Sequence, residues 1–246
     1  MAREPDNFDE LLVPLDVDAT PLPSDVGLSA PRFFPPPTAT TPEGLLCVGG
    51  RLSPEWLLDA YRHGIFPWPM WENEPVAWWS PDPRAIIELD GFHIARRLRR
   101  TLRSGRFQAT IDRDFAGVIR GCTENREDGT WLIPEMIDAY ERLHRLGHAH
   151  SVEVWADGNL AGGVYGVTIG GFFSAESMFH RRTNASKVAL FGLVNRLSQL
   201  GFQLLDIQFI TPHTARMGAI EIPRDEYLAR LASARSRTVG RFSPPA

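Results

Sequence analysis

The chain has 246 residues, 43% hydrophobic and 23% charged, with a formal net charge of −4, an ordinary globular composition that excludes fibrous and low-complexity classes. No apolar run approaches the roughly 20 residues a membrane helix needs, and the start lacks the basic-then-apolar order of a secretion signal. Two cysteines, Cys47 and Cys122, without a CxxC spacing, allow at most one bridge, so the expected setting is a reducing cytoplasm; no membrane contact and a monomeric chain are separate expectations.

Charge is unevenly spread. Residues 1–25 hold seven acids against Arg3, a net of −6, which leaves the remainder at +2. Residues 1–30 therefore read as a disordered acidic tail, followed by a small domain over 31–85. "RFFPPPTATTPEGLLCVGG" has the punctuation of a loop. "LSPEWLLDAYRHG" reads as a helix capped at Ser53, with Pro54 in its first turn and Gly64 as its stop. "FPWPMWENEPVAWWSPDPR" sets Trp68, Trp71, Trp78 and Trp79 among prolines and is expected to be an irregular, rigid loop. Core packing accounts for most of these rings, although a proline-braced Trp is also a stacking surface for a base.

Residues 86–235 follow as the main domain, with 236–246 expected to be a second disordered tail. "HIARRLRRTLRSG" spaces Ile94, Leu98 and Leu102 four apart on an amphipathic helix. That helix carries Arg96, Arg97, Arg99, Arg100 and Arg103, with Arg106 beyond, and no acid. It is either a solvated face or a surface for phosphates, and it reads no base sequence. "DFAGVIRGC" and "PEMIDAYERLHRLG" are helices. "SVEVWA", "LAGGVYGVTI" and "GFFSAESMF" are strands joined by turns at Asp157-Gly158 and Gly170-Gly171. "NASKVALFGLVNRLSQLG" is a helix ending at Gly201, "FQLLDIQFI" a strand, and "RDEYLARLASA" the last helix. Helices, then three antiparallel strands, then helix and strand suggest a single α+β sheet.

Three places bear on chemistry. Asp206 and Gln208 interrupt an apolar strand two residues apart, so their side chains are expected on one face, where burial needs partners or a ligand. Glu176, between Phe173 and Met178, either caps an internal arginine or meets a cationic ligand. His148 and His150 have the spacing of a metal pair but no third ligand, so they read as structural. No serine or cysteine sits in a nucleophile context, and no metal or cofactor is expected.

The segments "GIFPW", "WWSPDPR", "GTW", "LGHAHSVEVW", "GGVYGV", "ESMF", "NASK" and "DIQ…HT…GA-E-IPR" occur in this order. Over residues 33–232 they resemble the leucyl/phenylalanyl-tRNA–protein transferase family, bacterial enzymes that move Leu or Phe from aminoacyl-tRNA to a protein N-terminus. The resemblance implies an acetyltransferase (GNAT)-like mixed sheet with flanking helices, preceded by a small N-terminal domain. It implies aminoacyl-tRNA (Leu, Phe, Met) and acceptor proteins beginning with Arg or Lys as partners, and marking of those acceptors for N-end rule degradation. Position by position, Asp206 and Gln208 match the catalytic pair, while Trp68 and Trp131 match the aromatics that hold the aminoacyl-adenosine end. Val164, Phe173, Met178, Leu190 and Leu205 match the pocket for the transferred side chain, with Glu176 beside it. Val164 and Leu193 stand where the family carries larger residues. The arginine helix matches the tRNA-binding surface.

An acetyl-CoA-dependent N-acetyltransferase is the competing enzyme on such a sheet. The stretch "HRRTNASK" lacks the glycines of a pyrophosphate cradle, which favours the tRNA donor. A non-catalytic RNA-binding module is the third reading, and it leaves Asp206, Gln208 and Glu176 without a purpose. The expected chemistry is aminolysis of an activated ester. Gln208 either orients the amine or donates to the oxyanion. Asp206 either accepts from the Gln208 side-chain NH2 or meets the cationic acceptor.

Overall fold

Residues 14–15, 31–69, 75–124 and 132–243 are described by a computed structural model, in which the chain divides into two units between Pro81 and Asp82. The break falls earlier than the expected 85, because Arg84–Ile87 pairs into the larger sheet.

The first unit has a four-stranded sheet in the order β1-β2-β4-β3. Its strands are β1 (Pro14–Leu15), β2 (Leu45–Gly49), β3 (Phe66–Pro67) and β4 (Ala77–Trp79), with helix α1 (Pro54–Arg62) between β2 and β3. Two expectations are corrected here. Pro14–Leu15, inside the supposed tail, pairs in parallel with Val48 and Gly49. The tryptophan loop contains β3 and β4, and Pro67 is tolerated because β3 is an edge strand that needs no N–H on its outer side. The aromatics build this small core. Trp56 stacks on Phe33 at 4.6 Å between ring centroids, and Phe34 meets Trp78 edge-on at 4.7 Å. Trp78, fully buried, donates its indole N–H to the Gly49 carbonyl at 2.8 Å, which satisfies its one polar atom.

The second unit is a seven-stranded sheet in the order β11-β5-β10-β9-β8-β7-β6. It comprises β5 (Arg84–Ile87), β6 (Gln108–Ile111), β7 (Ala149–Ala156), β8 (Asn159–Ile169), β9 (Phe172–His180), β10 (Leu204–Gln208) and β11 (Ala219–Ile222). Its helices are α2 (Arg96–Arg103), α3 (Phe115–Gly121), α4 (Pro134–Arg145), α5 (Ala185–Leu200), α6 (Pro212–Ala215) and α7 (Arg224–Arg235). The expected mixed sheet with flanking helices is therefore present. Local chemistry sets the central hairpin: Asp157 and Gly158 have φ of 51° and 75°, the left-handed pair of a two-residue turn that matches strand twist. Neighbouring glycines on β8 let helices close on both faces. A Cβ on Gly162 would lie 2.8 Å from Ala185 of α5, and one on Gly163 the same 2.8 Å from Val118 of α3. Successive strand residues face opposite ways, so α5 and α3 cover opposite sides.

Within this seven-stranded sheet all neighbouring strands run antiparallel except β9 and β10. Their parallel register runs from Leu204↔Phe172 to Asp206↔Ser174 and stops there, while β9 continues to His180. Beyond Ser174 the two strands part, and the candidate site lies at that parting.

The stretch 236–246 is not a free tail over its described part. Phe242 is buried among Phe173, Phe202 and His150. The Arg196 guanidinium donates to the carbonyls of Arg241 and Phe242, and the Ser243 hydroxyl bonds Asp112. One large ring in an apolar slot and a guanidinium on two carbonyls outweigh the polar composition that suggested disorder.

Candidate active site

β10 is apolar except at Asp206 and Gln208, and a bulge between them decides their directions. The register with β5 shifts there, and Gln208 sits at φ 57°, in the left-handed region. The regular two-residue alternation is broken, so the expectation that both side chains leave one face of the strand does not hold. Asp206 turns toward β5 and α7, whereas Gln208 turns toward β9.

Asp206 is fully buried and held from four directions. Arg84 on β5 forms a fork, Nε to Oδ1 at 2.9 Å and Nη2 to Oδ2 at 2.7 Å. Tyr227 on α7 donates its hydroxyl to Oδ2 at 2.9 Å, and the Gln208 backbone N–H reaches Oδ1 at 2.9 Å. Asp206 thus accepts the backbone N–H of Gln208, not its side-chain NH2, and its lone pairs are directed at protein. Arg84, itself 1% exposed, lies over the Tyr227 ring at 4.6 Å. Burial alone would favour a neutral Arg84, but the Asp206 carboxylate holds its pKa well above the ordinary value. Burial likewise raises Tyr227 far above a free phenol, keeping it a hydrogen-bond donor. The group is a neutral, fully satisfied ion pair that braces the bulge.

Gln208, 7% exposed, reaches Ser174 and Glu176 on β9. The carbonyls of Ile207 and Ala175 both lie 3.0 Å from one end of its amide, so that end is the NH2. Its Oε1 then points at the Ser174 hydroxyl, 2.7 Å away. Ser174 also lies 2.8 Å from Glu176 Oε1, and Tyr140 donates to Glu176 Oε2 at 3.0 Å. Ser174 has one proton for two acceptors. When it serves Glu176, the Gln208 amide oxygen is open to a ligand N–H. Tyr140 and Ser174 thus both bond the Glu176 carboxylate.

The apolar residues assigned to the side-chain pocket come together in one cluster. Val164, Phe173, Leu190 and Leu205 are buried there, and half-buried Met178 packs against it with Glu176 two residues before it on β9. Leu193 lies in the same cluster. The five arginines at 96, 97, 99, 100 and 103 are all exposed on α2, where only Leu98 is buried. None of the five forms an ion pair among the described residues. Trp68 belongs to the first unit, is 40% exposed, and accepts the Trp79 indole N–H on its carbonyl at 2.9 Å. Trp131 lies outside the described residues. His150 bonds Asp112 at 2.7 Å, and among the described residues no cluster of three or more metal-ligating side chains occurs.

Residues 86–232 match the family model described as leucyl/phenylalanyl-tRNA protein transferase, and residues 50–82 match the model of that family's N-terminal domain. The chain belongs to this transferase family. A leucyl/phenylalanyl-tRNA–protein transferase of Solidesulfovibrio magneticus is 51% identical over 218 residues, covering 86% of this chain and 87% of its own. One from an Anaeromyxobacter species is 54% identical over 207 residues, covering 83% and 88%. A solved GCN5-related N-acetyltransferase from Kribbella flavida is similar at TM-score 0.39 and 12% identity, covering 70% of this chain and 61% of its own, too distant to carry an argument.

Sequence reasoning about this transferase missed Arg84, Tyr227, Ser174 and Tyr140. The available signals were weak. Tyr227 lies on one helical stripe with Leu231 and Ala234, and a buried tyrosine needs a partner for its hydroxyl. Arg84 directly precedes an apolar run, with nothing local to show that it turns inward.

Proposed function

We infer that this chain transfers an aminoacyl group from tRNA to the N-terminus of a protein, with Leu, Phe and Met as donors and Arg- or Lys-initiated proteins as acceptors. Membership of the transferase family supports the reaction class. The observation that supports a role for this site is the Gln208 amide, fixed with its NH2 on two carbonyls and its oxygen beside Ser174 and Glu176.

The acceptor's amine nitrogen attacks the ester carbonyl carbon, the carbon–oxygen bond to the terminal ribose breaks, and the amine's proton ends on that ribose oxygen. The ester is already activated, so the chain's part is placement. An α-amino group has a pKa near 7.7–8.0, and a usable fraction is neutral at cellular pH. Gln208 neither gains nor loses a proton there. Its Oε1 accepts one N–H of the attacking amine, and Glu176 supplies negative charge beside the cation that forms as the bond develops. Orientation of this kind accounts for most of the acceleration of an activated acyl donor. Asp206 acts through Gln208, holding the bulge that aims it, and is a positioning residue.

The apolar cluster around Phe173 supports an aliphatic or aromatic donor side chain, since a charged or hydroxylated one would be stranded there. Val164 leaves room for Phe. Met178, the half-buried member, is where the cluster opens. The acidic site supports Arg or Lys as the acceptor's first residue. Degradation of the product by an N-end rule route, a cytoplasmic setting and a monomeric state complete the reading.

The test is incubation with radiolabelled leucyl-tRNA and a protein beginning with Arg. Label should enter the protein, and Gln208→Ala should lower the rate on the order of a hundredfold. Acetyl-CoA should leave the melting temperature unchanged while puromycin raises it. Acetylation of the acceptor, with no label from tRNA, would overturn the reading. Efficient use of isoleucyl-tRNA would refute the pocket argument.

A further inference from the structure

Phe242 lies past residue 232, where the match to the family ends, yet its ring packs against Phe173 of the apolar pocket. The buried Phe242 ring sits 5.5 Å from Phe173, 4.7 Å from His150 and 6.3 Å from Phe202, between ring centroids. Two anchors keep it there. Arg196 on α5 donates Nε and Nη2 to the Phe242 carbonyl at 2.9 and 2.6 Å, and the Ser243 hydroxyl bonds Asp112. The second anchor is itself fixed, because Asp112 also holds His150 on β7 at 2.7 Å.

Phe173 in turn is hemmed in. Across the sheet it stands in register with Leu205 of β10 on one side and Thr168 of β8 on the other. Its ring edge rests on bare backbone, since a Cβ built on Gly166 of β8 would lie 2.4 Å from that ring. Phe242 closes a further flank, its plane tilted 31° to that of Phe173. Val164, Leu190 and Leu205 of the pocket belong to the same buried cluster as both rings. Interiors packed at crystal-like density pass a displacement on to their neighbours, so the place of the Phe173 ring depends on what fills the slot beside it.

We propose that Phe242 is a positioning residue that sets donor choice, fixing through Phe173 the depth of the pocket for the transferred side chain. The inference deepens the proposed function and rests on it for what occupies the pocket. While Phe242 fills its slot, the Phe173 ring cannot retreat from the donor. Once the slot is vacated the ring withdraws into it, and the pocket gains depth that Phe can use and the shorter Leu cannot. A residue with a merely structural role would lower transfer from both donors alike when removed.

The test compares the two donors on the intact chain. Wild type and Phe242→Ala receive leucyl- or phenylalanyl-tRNA with an Arg-initiated peptide, and kcat/KM is taken per folded molecule. The Phe-to-Leu ratio should rise about tenfold, the effect of roughly one methylene of pocket depth. Phe242→Leu, which refills most of the slot, should return the ratio toward wild type. Arg196→Gln loosens an anchor without emptying the slot and should raise the ratio in the same direction; it decides the matter where Phe242→Ala does not fold. A ratio that stays constant or falls, with both donors losing alike, would overturn the proposal. Affinities for the unreactive amides 3′-leucylamino- and 3′-phenylalanylamino-adenosine keep the two readings apart. A shifted affinity ratio with no transfer by the wild type refutes the transferase reading and leaves Phe242 its role. Transfer with an unshifted ratio refutes that role alone, and a wild type that binds neither amide refutes both.

Discussion

Asp206→Asn separates a positioning role from direct contact with substrate. Asparagine keeps the shape and one acceptor oxygen, which can still take the Gln208 N–H and Arg84 Nε, both 2.9 Å from Oδ1. Its NH2 then occupies the Oδ2 position, 2.7 Å from Arg84 Nη2, so two donors face each other and a guanidinium with 1% exposure loses its counter-charge. Breaking one side of a buried ion pair costs about 3–5 kcal/mol, a large fraction of the 5–15 kcal/mol typical of a domain. For a chain of this size, about 3 kcal/mol lowers Tm by about 6–12 °C. The bulge at Gln208 survives, so transfer by the protein that remains folded should stay within about tenfold of wild type. Urea unfolding followed by circular dichroism, with transfer measured well below the midpoint, checks both parts. Arg84→Met added to Asp206→Asn removes the stranded charge, and the double variant should cost less than the two single costs combined by more than about 1.5 kcal/mol. A wild-type midpoint with transfer abolished would show that Asp206 touches substrate, and the reasoning would be wrong.

Charge reversal on α2, Arg97→Glu with Arg100→Glu, should weaken binding of full-length tRNA and flatten its salt dependence, since each lost phosphate contact lowers the slope by about one. Salt-titrated filter binding measures that slope; an unchanged slope would return the helix to a solvated face. Burial would raise the Asp112 pKa, but the hydrogen bond and charge of His150, with bonds from Ser243 and Ser151, overcome it and hold the carboxyl below its ordinary value. The stabilisation is therefore present above the ordinary carboxylate pKa and lost as pH falls through the depressed one. Asp112→Asn should unfold at lower urea than wild type at neutral pH and approach it in acid. Phe242→Ala should cost about 3 kcal/mol or more by cavity formation beside Phe173, read as a shifted urea midpoint; no shift would restore 236–246 to the status of a tail.

The elements that sequence reveals here are those whose causes are local. The Asp157-Gly158 turn, the Gly201 stop of α5 at φ 82° and the Pro134 start of α4 each depend on a few adjacent residues. β5, β6 and β11 have four residues each, and only partners far along the chain make them strands. The site divides the same way. Asp206 and Gln208 stand out as polar residues in an apolar strand, but the bulge that separates their directions is a matter of pairing with β5. Arg84 lies 122 residues from Asp206 and is joined to it only by folding. Phe242 sits in a short polar stretch, and composition cannot show that one ring fills a slot behind β9.

The clip formed by Arg196, Phe242 and Ser243 also bears on the order of events during synthesis. Domains fold as units while the chain emerges, and the first unit is complete once Pro81 has left the ribosome. The second unit cannot close its slot until Phe242 has emerged, long after β9 and α5 are outside. During that interval Phe173 and Phe202 lack one of the rings that covers them. The nascent sheet is then held by its own hairpin, and its last apolar gap is sealed only once Phe242 is available to fill it.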